Sequence, residues 1–169
     1  NYACGWEDDG AGSLNYFSNP TFVACLFINN HAPLEGFPSN GGGMCNNNSS
    51  PMLTNCTFEN NTTADSYSID GGGGMYNFES NPSLTNCAFT TNTAKEGGGM
   101  YNLESSPILS GCNFSVNSAN ARGGAMLNDH NSSDCCPSKP TLDNCTFMSN
   151  SAQGGGGMAN AYLCSPTLT

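Results

Sequence analysis

The sequence predicts an all-β chain wound as a right-handed parallel β-helix solenoid of about six coils. Three observations carry that prediction. One motif returns five times in 169 residues: a proline, then cysteine, phenylalanine and asparagine at fixed offsets, then a glycine run ending in methionine. With 21 Gly, 9 Pro and only 9% charged residues, no stretch has the Ala, Leu, Glu and Lys spacing that helical repeats require. Segments such as Cys56-Thr57-Phe58 and Cys145-Thr146-Phe147 alternate, so Cys and Phe share one face and Thr takes the other, which is the period of a strand.

The elements follow in order along each coil. Pro20, Pro51, Pro82, Pro107 and Pro140 open the motif, and Cys25, Cys56, Cys87, Cys112 and Cys145 stand five residues on. Phe27, Phe58, Phe89, Phe114 and Phe147 come next, then Asn30, Asn61, Asn92, Asn117 and Asn150. After a variable gap Met44, Met75, Met100, Met126 and Met158 each follow Gly-Gly-Gly or Gly-Gly-Ala, and two residues beyond them stand Asn46, Asn77, Asn102, Asn128 and Asn160. Stacking coil over coil turns these into inward columns of like residues, buried only by their neighbours. Crossovers between parallel strands favour right-handed winding. Amides in a column bond the amides above and below, and the glycines permit close backbone approach where the coil bends.

Phe-x-x-Asn followed by Gly-Gly-Ala-Met or Gly-Gly-Gly-Met, as in Phe114 to Asn117 with Gly123 to Met126, resembles the paired repeats of polymorphic outer membrane proteins and of bacterial surface proteins with right-handed parallel β-helix repeats. The resemblance covers nearly the whole chain. It implies a secreted or surface-displayed protein, often an adhesin, on a fold that also serves polysaccharide lyases, phage tailspikes and ice-binding proteins.

Successive prolines up to Pro166 lie 31, 31, 25, 33 and 26 residues apart. Pro166-Thr167-Leu168-Thr169 begins a sixth motif that stops mid-coil, and where other coils continue Leu-Thr with Asn, Asn is the first residue of the chain. Joining Thr169 to Asn1 carries the motif through Tyr2 and Cys4 to Pro20, with Leu14 near the methionine position after a one-residue slip. Residues 1–169, a single domain, are therefore expected to form one unit of a longer stack, with Asn1, Tyr2, Cys4, Pro166, Leu168 and Thr169 at its self-assembly ends. No capping element stands out at either end. The start lacks an initiator Met and an apolar leader, and the longest apolar stretch, Phe22 to Ile28, is too short to span a bilayer, so exported material without a transmembrane segment is expected.

Several residue types add chemistry. Of the Asn-x-Ser/Thr sequons, Asn48, Asn60 and Asn131 lie in loops and are the candidate glycosylation sites, whereas Asn61 belongs to an inward column where a glycan has no room. The column cysteines read as small buried hydrophobes, because parallel side-chain vectors disfavour the disulfide dihedral. Off the column stand Cys4, Cys45, Cys135, Cys136 and Cys164, and an extracellular setting favours pairing among them, Cys164 with Cys135 or Cys136 first. His31 and His130 show no zinc-ligand spacing with these cysteines. Glu79 and Glu104 on adjacent coils are the weak candidates for a calcium ion, against a reading as two solvated carboxylates; no other cofactor is indicated.

The charge of −10, from 13 acidic and 3 basic residues, excludes nucleic acid as a partner. The carboxylates Asp65, Asp70, Glu96 and Asp143 sit in loops without a recurring partner, so no catalytic residues are assigned and the chain reads as a non-enzyme. An ice-binding β-helix is a minor alternative, because the outward Thr ladder it needs is partial, interrupted by Met52, Ile108, Val23 and Asp143. The expectation is an extracellular structural protein whose partner is itself, head-to-tail, with covalent glycans as a further attachment. The alternative is a cell-surface adhesin fragment that binds a host or carbohydrate ligand through loops such as Asp129 to Lys139 or Glu59 to Asp70.

Overall fold

The structure, a computed structural model, describes residues 12–32, 40–64, 71–130 and 137–169. Its strands form four parallel sheets in which each strand pairs with its equivalent one coil away. The methionine sheet has six strands, Leu14–Tyr16, Met44–Asn47, Met75–Phe78, Met100–Leu103, Met126–Asp129 and Met158–Asn160. The leucine sheet also has six, from Thr21–Val23 and Met52–Thr54 through Ser83–Thr85, Ile108–Ser110 and Thr141–Asp143 to Thr167–Leu168. Five strands, Leu26–Ile28 to Thr146–Met148, make the phenylalanine sheet, and four, His31–Ala32 to Ser118–Arg122, make the last. The expected parallel β-helix architecture, with its coils stacked in register, is thus present.

Local chemistry explains where each coil turns. The chain bends at residues with positive φ, among them Asn55, Asn86 and Asn144 between the leucine and phenylalanine sheets and Asn29 and Asn60 at the next corner. Asparagine tolerates this left-handed region better than most residues. Glycine serves the tightest corner: Gly72 has a φ of 68°, and a Cβ on Gly74 would stand 2.5 Å from the Gly99 carbonyl oxygen and 2.9 Å from the Phe89 ring. The glycine run therefore lets the backbone lie flat beneath the aromatic column.

The predicted columns form the core. Phe27, Phe58, Phe89, Phe114 and Phe147 stack nearly parallel with centroids 4.7, 4.7, 4.7 and 5.1 Å apart. Such stacking adds about 0.5–1.5 kcal/mol per pair beyond the area buried. Met44, Met75, Met100 and Met126 are completely buried beside them, as are Leu53, Leu84, Leu109 and Leu142 of the leucine sheet. The column thiols point inward as expected: the Cys56 S–H faces the Phe22 and Thr54 carbonyls, both at 3.5 Å.

One expectation needs correction here. Leu14 pairs with Cys45, so it does not take the methionine position; it lies on the outer face, 48% exposed, and the strand meets its neighbour through Asn15 opposite Asn46. The methionine sheet is buried on both faces. Cys45, Tyr76, Tyr101, Leu103 and Leu127 make a second apolar layer on its outer side.

The asparagine columns are continuous amide ladders. Nδ2 of Asn15, Asn46, Asn77, Asn102 and Asn128 each donates to Oδ1 of the next asparagine at 2.7–2.9 Å. Truncating an inner rung leaves a buried donor on one side and a buried acceptor on the other. Asn77→Ala is therefore expected to lower stability by about 3 kcal/mol in urea unfolding, while Thr85→Ala on the exposed face stays within about 0.5 kcal/mol. Equal losses for the two would show that the ladder does not hold the core.

Candidate assembly surfaces and the charged cluster

Every inner coil has both faces covered, so the end coils display what the others hide. At the C-terminal side Phe147 and Met158 are only partly buried, Asn160 is exposed, and Leu168 is 63% exposed. Thr169 closes the last turn, accepting from the Asn144 N–H at 3.0 Å, and the Thr167 N–H donates to the Pro140 carbonyl at 2.9 Å. Pro166, Leu168 and Thr169 thus lie together on one edge of the stack. The other edge is better shielded: Asn15 and Phe27 are 6% and 8% exposed. Asn1, Tyr2 and Cys4 lie outside the described residues.

A charged cluster flanks the second apolar layer. Glu96 and Arg122 are direct register partners on adjacent coils. The Arg122 guanidinium gives Nε to Glu96 Oε1 at 3.1 Å, Nη2 to Glu96 Oε2 at 2.7 Å, and Nη2 again to Asp129 Oδ2 at 3.0 Å. The Tyr101 hydroxyl donates to the same Asp129 oxygen at 3.4 Å. Burial by itself would lower the Arg122 pKa, yet the two carboxylates hold it above its ordinary value. Burial also pushes the Tyr101 phenol well up, reinforced by Tyr76 and by the Asp129 and Glu96 carboxylates. One guanidinium therefore serves two nearly buried acids, and Glu96, weighed above as a catalytic carboxylate, is committed to an ion pair.

This cluster went unread in the sequence, although a signal exists. Glu96 and Arg122 both stand four residues before the column methionine, the place of Asn40 and Gly71 on earlier coils. The serines two before each proline were missed in the same way. Ser18, Ser49, Ser80 and Ser105 donate their backbone N–H groups to the hydroxyls of Ser49, Ser80, Ser105 and Ser138 at 2.9–3.0 Å.

Cys164 takes the next place in that serine column, where the Ser138 backbone N–H bonds it and burial raises its thiol pKa. It is a free thiol, which corrects the pairing expected with Cys135 or Cys136, both outside the described residues. Cys45 is disulfide-bonded. The column thiols Cys25, Cys56, Cys87, Cys112 and Cys145 are free; burial raises the pKa of Cys56 and Cys145, and Cys112 is held up by the hydrogen bond it gives Cys87.

The remaining candidates are dispersed. Glu79 and Glu104 occupy left-handed corners, with His130 Nδ1 4.0 Å from Glu104 Oε1, and among the described residues no three His, Cys, Asp or Glu side chains are gathered to hold a metal. Asn60 is exposed, though its Nδ2 donates to Asn29 Oδ1 at 2.6 Å, while Asn48 is half-buried and Asn131 lies outside the described residues. Asn55 and Asn144, also sequon asparagines, stand exposed at corners, and Asn61 is fully buried. No helix among the described residues is long and apolar enough to cross a membrane.

Arg122→Met leaves two shielded carboxylates facing each other and is expected to cost about 2 kcal/mol in chemical denaturation, discounted for the partly exposed guanidinium; no loss would make the cluster ornamental. A raised phenol pKa in the folded state makes the Tyr101 contribution complete below its ordinary value of 10.0 and lost as pH climbs above it, because the unfolded chain ionises first. Thermal melts of Tyr101→Phe should accordingly show a shallower alkaline decline than the parent. Comparison with protein-family models, with curated proteins and with solved structures found no match to this chain.

Proposed function

We propose that this chain is an extracellular structural protein, the repeat unit of a head-to-tail β-helical surface fibre. The observation that carries the reading is the register of the columns: the phenylalanine rings repeat at 4.7 to 5.1 Å, and on each inner coil the phenylalanine, methionine and asparagine side chains are buried by like residues one coil away. Another coil of the same pattern is the surface that matches all three columns at once. Strand addition of one copy to the next supplies backbone pairing as well as side-chain burial, and a contact of this kind between unlike edges does not close on itself, so it produces filaments. The few charged residues and the neutral Asn, Ser and Thr faces suit a passive exterior, on which glycans at exposed corner asparagines fit without disturbing the core.

Six coils at about 4.8 Å predict an axial rise near 29 Å per unit. Electron microscopy of the concentrated protein, or of its native source, is expected to show unbranched filaments with that repeat. Particles that stay monomeric at every concentration, or a repeat far from this figure, would overturn the reading.

A further inference from the structure

Five thiols run through the interior in one line. Cys25, Cys56, Cys87, Cys112 and Cys145 take the same corner of successive coils, each one residue before a strand that pairs in register with its equivalents. The phenylalanine two residues beyond each thiol repeats at 4.7 to 5.1 Å, and the strands that set this rise for the rings set it for the sulfurs.

The inner pair of this line is enclosed. Cys87 and Cys112 are each 1% exposed and belong to the main apolar core. Cys87 Sγ stands 3.5 Å from the Thr85 carbonyl oxygen, and Cys112 Sγ stands 3.7 Å from those of Leu84 and Ser110. The two sulfurs are also joined directly: the Cys112 S–H donates to Cys87 Sγ, and that bond draws the Cys87 thiol down to about 7 against the opposing effect of burial. One proton therefore sits between two sulfurs.

A proton in that place marks the seat of a two-coordinate cation, because exchanging one for the other leaves the charge of the pair unchanged. A thiolate–metal bond is about 2.3 Å, so a straight sulfur–metal–sulfur line spans about 4.6 Å. The Phe89 and Phe114 rings on the same two coils are 4.7 Å apart. Soft thiolates favour Cu(I), zinc and iron–sulfur clusters. Zinc and the clusters take four protein ligands as a rule, whereas Cu(I) accepts two in a line, and among the described residues no three His, Cys, Asp or Glu side chains are gathered to hold a metal.

We propose that Cys87 and Cys112 form a buried two-coordinate site for a soft monovalent cation of the Cu(I) class. The cation binds both sulfurs, the Cys112 S–H bond breaks and its proton leaves to solvent; with Cys87 already a thiolate the site keeps one negative charge, and no electron is transferred. Where Cys87 enters as a thiol, a second proton leaves. Both sulfurs are covered in the folded chain, so the ion is taken up as the coils close. The inference is independent of the fibre reading, since both residues lie on inner coils.

The test is to refold the full chain from urea under argon with one equivalent of Cu(I) and bicinchoninate as competitor. The parent is expected to retain one copper per chain, with two sulfur neighbours by X-ray absorption at the copper edge. Cys87→Ala and Cys112→Ala are each expected to weaken binding at least about tenfold, whereas Cys164→Ala leaves it unchanged. Circular dichroism without copper checks that each variant folds, and Cys87→Ser, which keeps the side-chain volume, carries the same comparison if the alanine variant does not. A refolded parent that holds no copper, three or more sulfur neighbours, or equal affinity in the parent and a folded Cys87 variant would overturn the site.

Discussion

Backbone pairing between parallel strands fixes one vertical spacing, and everything inside this protein has to obey it. Phenylalanine rings repeat at 4.7 Å because the strands that carry them do. At that separation a ring meets a ring and an amide meets an amide, so a column of like residues satisfies its members by translation alone. A mixed column would need a different fit at every level.

The same constraint explains why so polar a chain has a stable interior. Buried amides are costly unless bonded, yet each inner asparagine of the second column gives Nδ2 to a phenylalanine carbonyl as well as to the next amide, as Asn92 does with Phe58 at 2.9 Å and Asn117 at 2.9 Å. Its Oδ1 in turn accepts two bonds from the coil before. These amides are spacers as much as fasteners: they set the height of the corner beside the aromatic stack. Where translation fails, as with Glu96 opposite Arg122, the neighbours are complementary in place of identical.

The inner architecture was legible because the offsets between Pro, Cys, Phe and Asn never vary, and an invariant offset in a stacked fold is a spatial column. The outer layer was harder to see. Tyr76, Tyr101 and Leu127 lie between a methionine and an asparagine that face inward, so alternation puts them on the opposite face, where a second apolar layer covers them. Alternation reports which residues share a face and says nothing about whether the opposite face is covered. Cys164 misled for a related reason: in composition it resembled the disulfide cysteines, whereas its position two before Pro166 is a serine position, and geometry prevailed over residue type. The Glu96 to Arg122 pair was readable in principle by counting back from methionine.

Because each coil touches only the coils beside it, contacts join residues about one coil apart however long the stack becomes; the amide ladder spans 31, 31, 25, 26 and 32 residues along its successive steps. The entropy of loop closure is therefore met afresh, in nearly equal amounts, at every turn of the winding. Nucleation is the expensive event, since the first coils must close before anything lies beneath them, and later coils fold on a finished template. Such a chain behaves like a zipper: its ends fray first, its middle opens last, and its length is free to change without altering the difficulty of making one more turn.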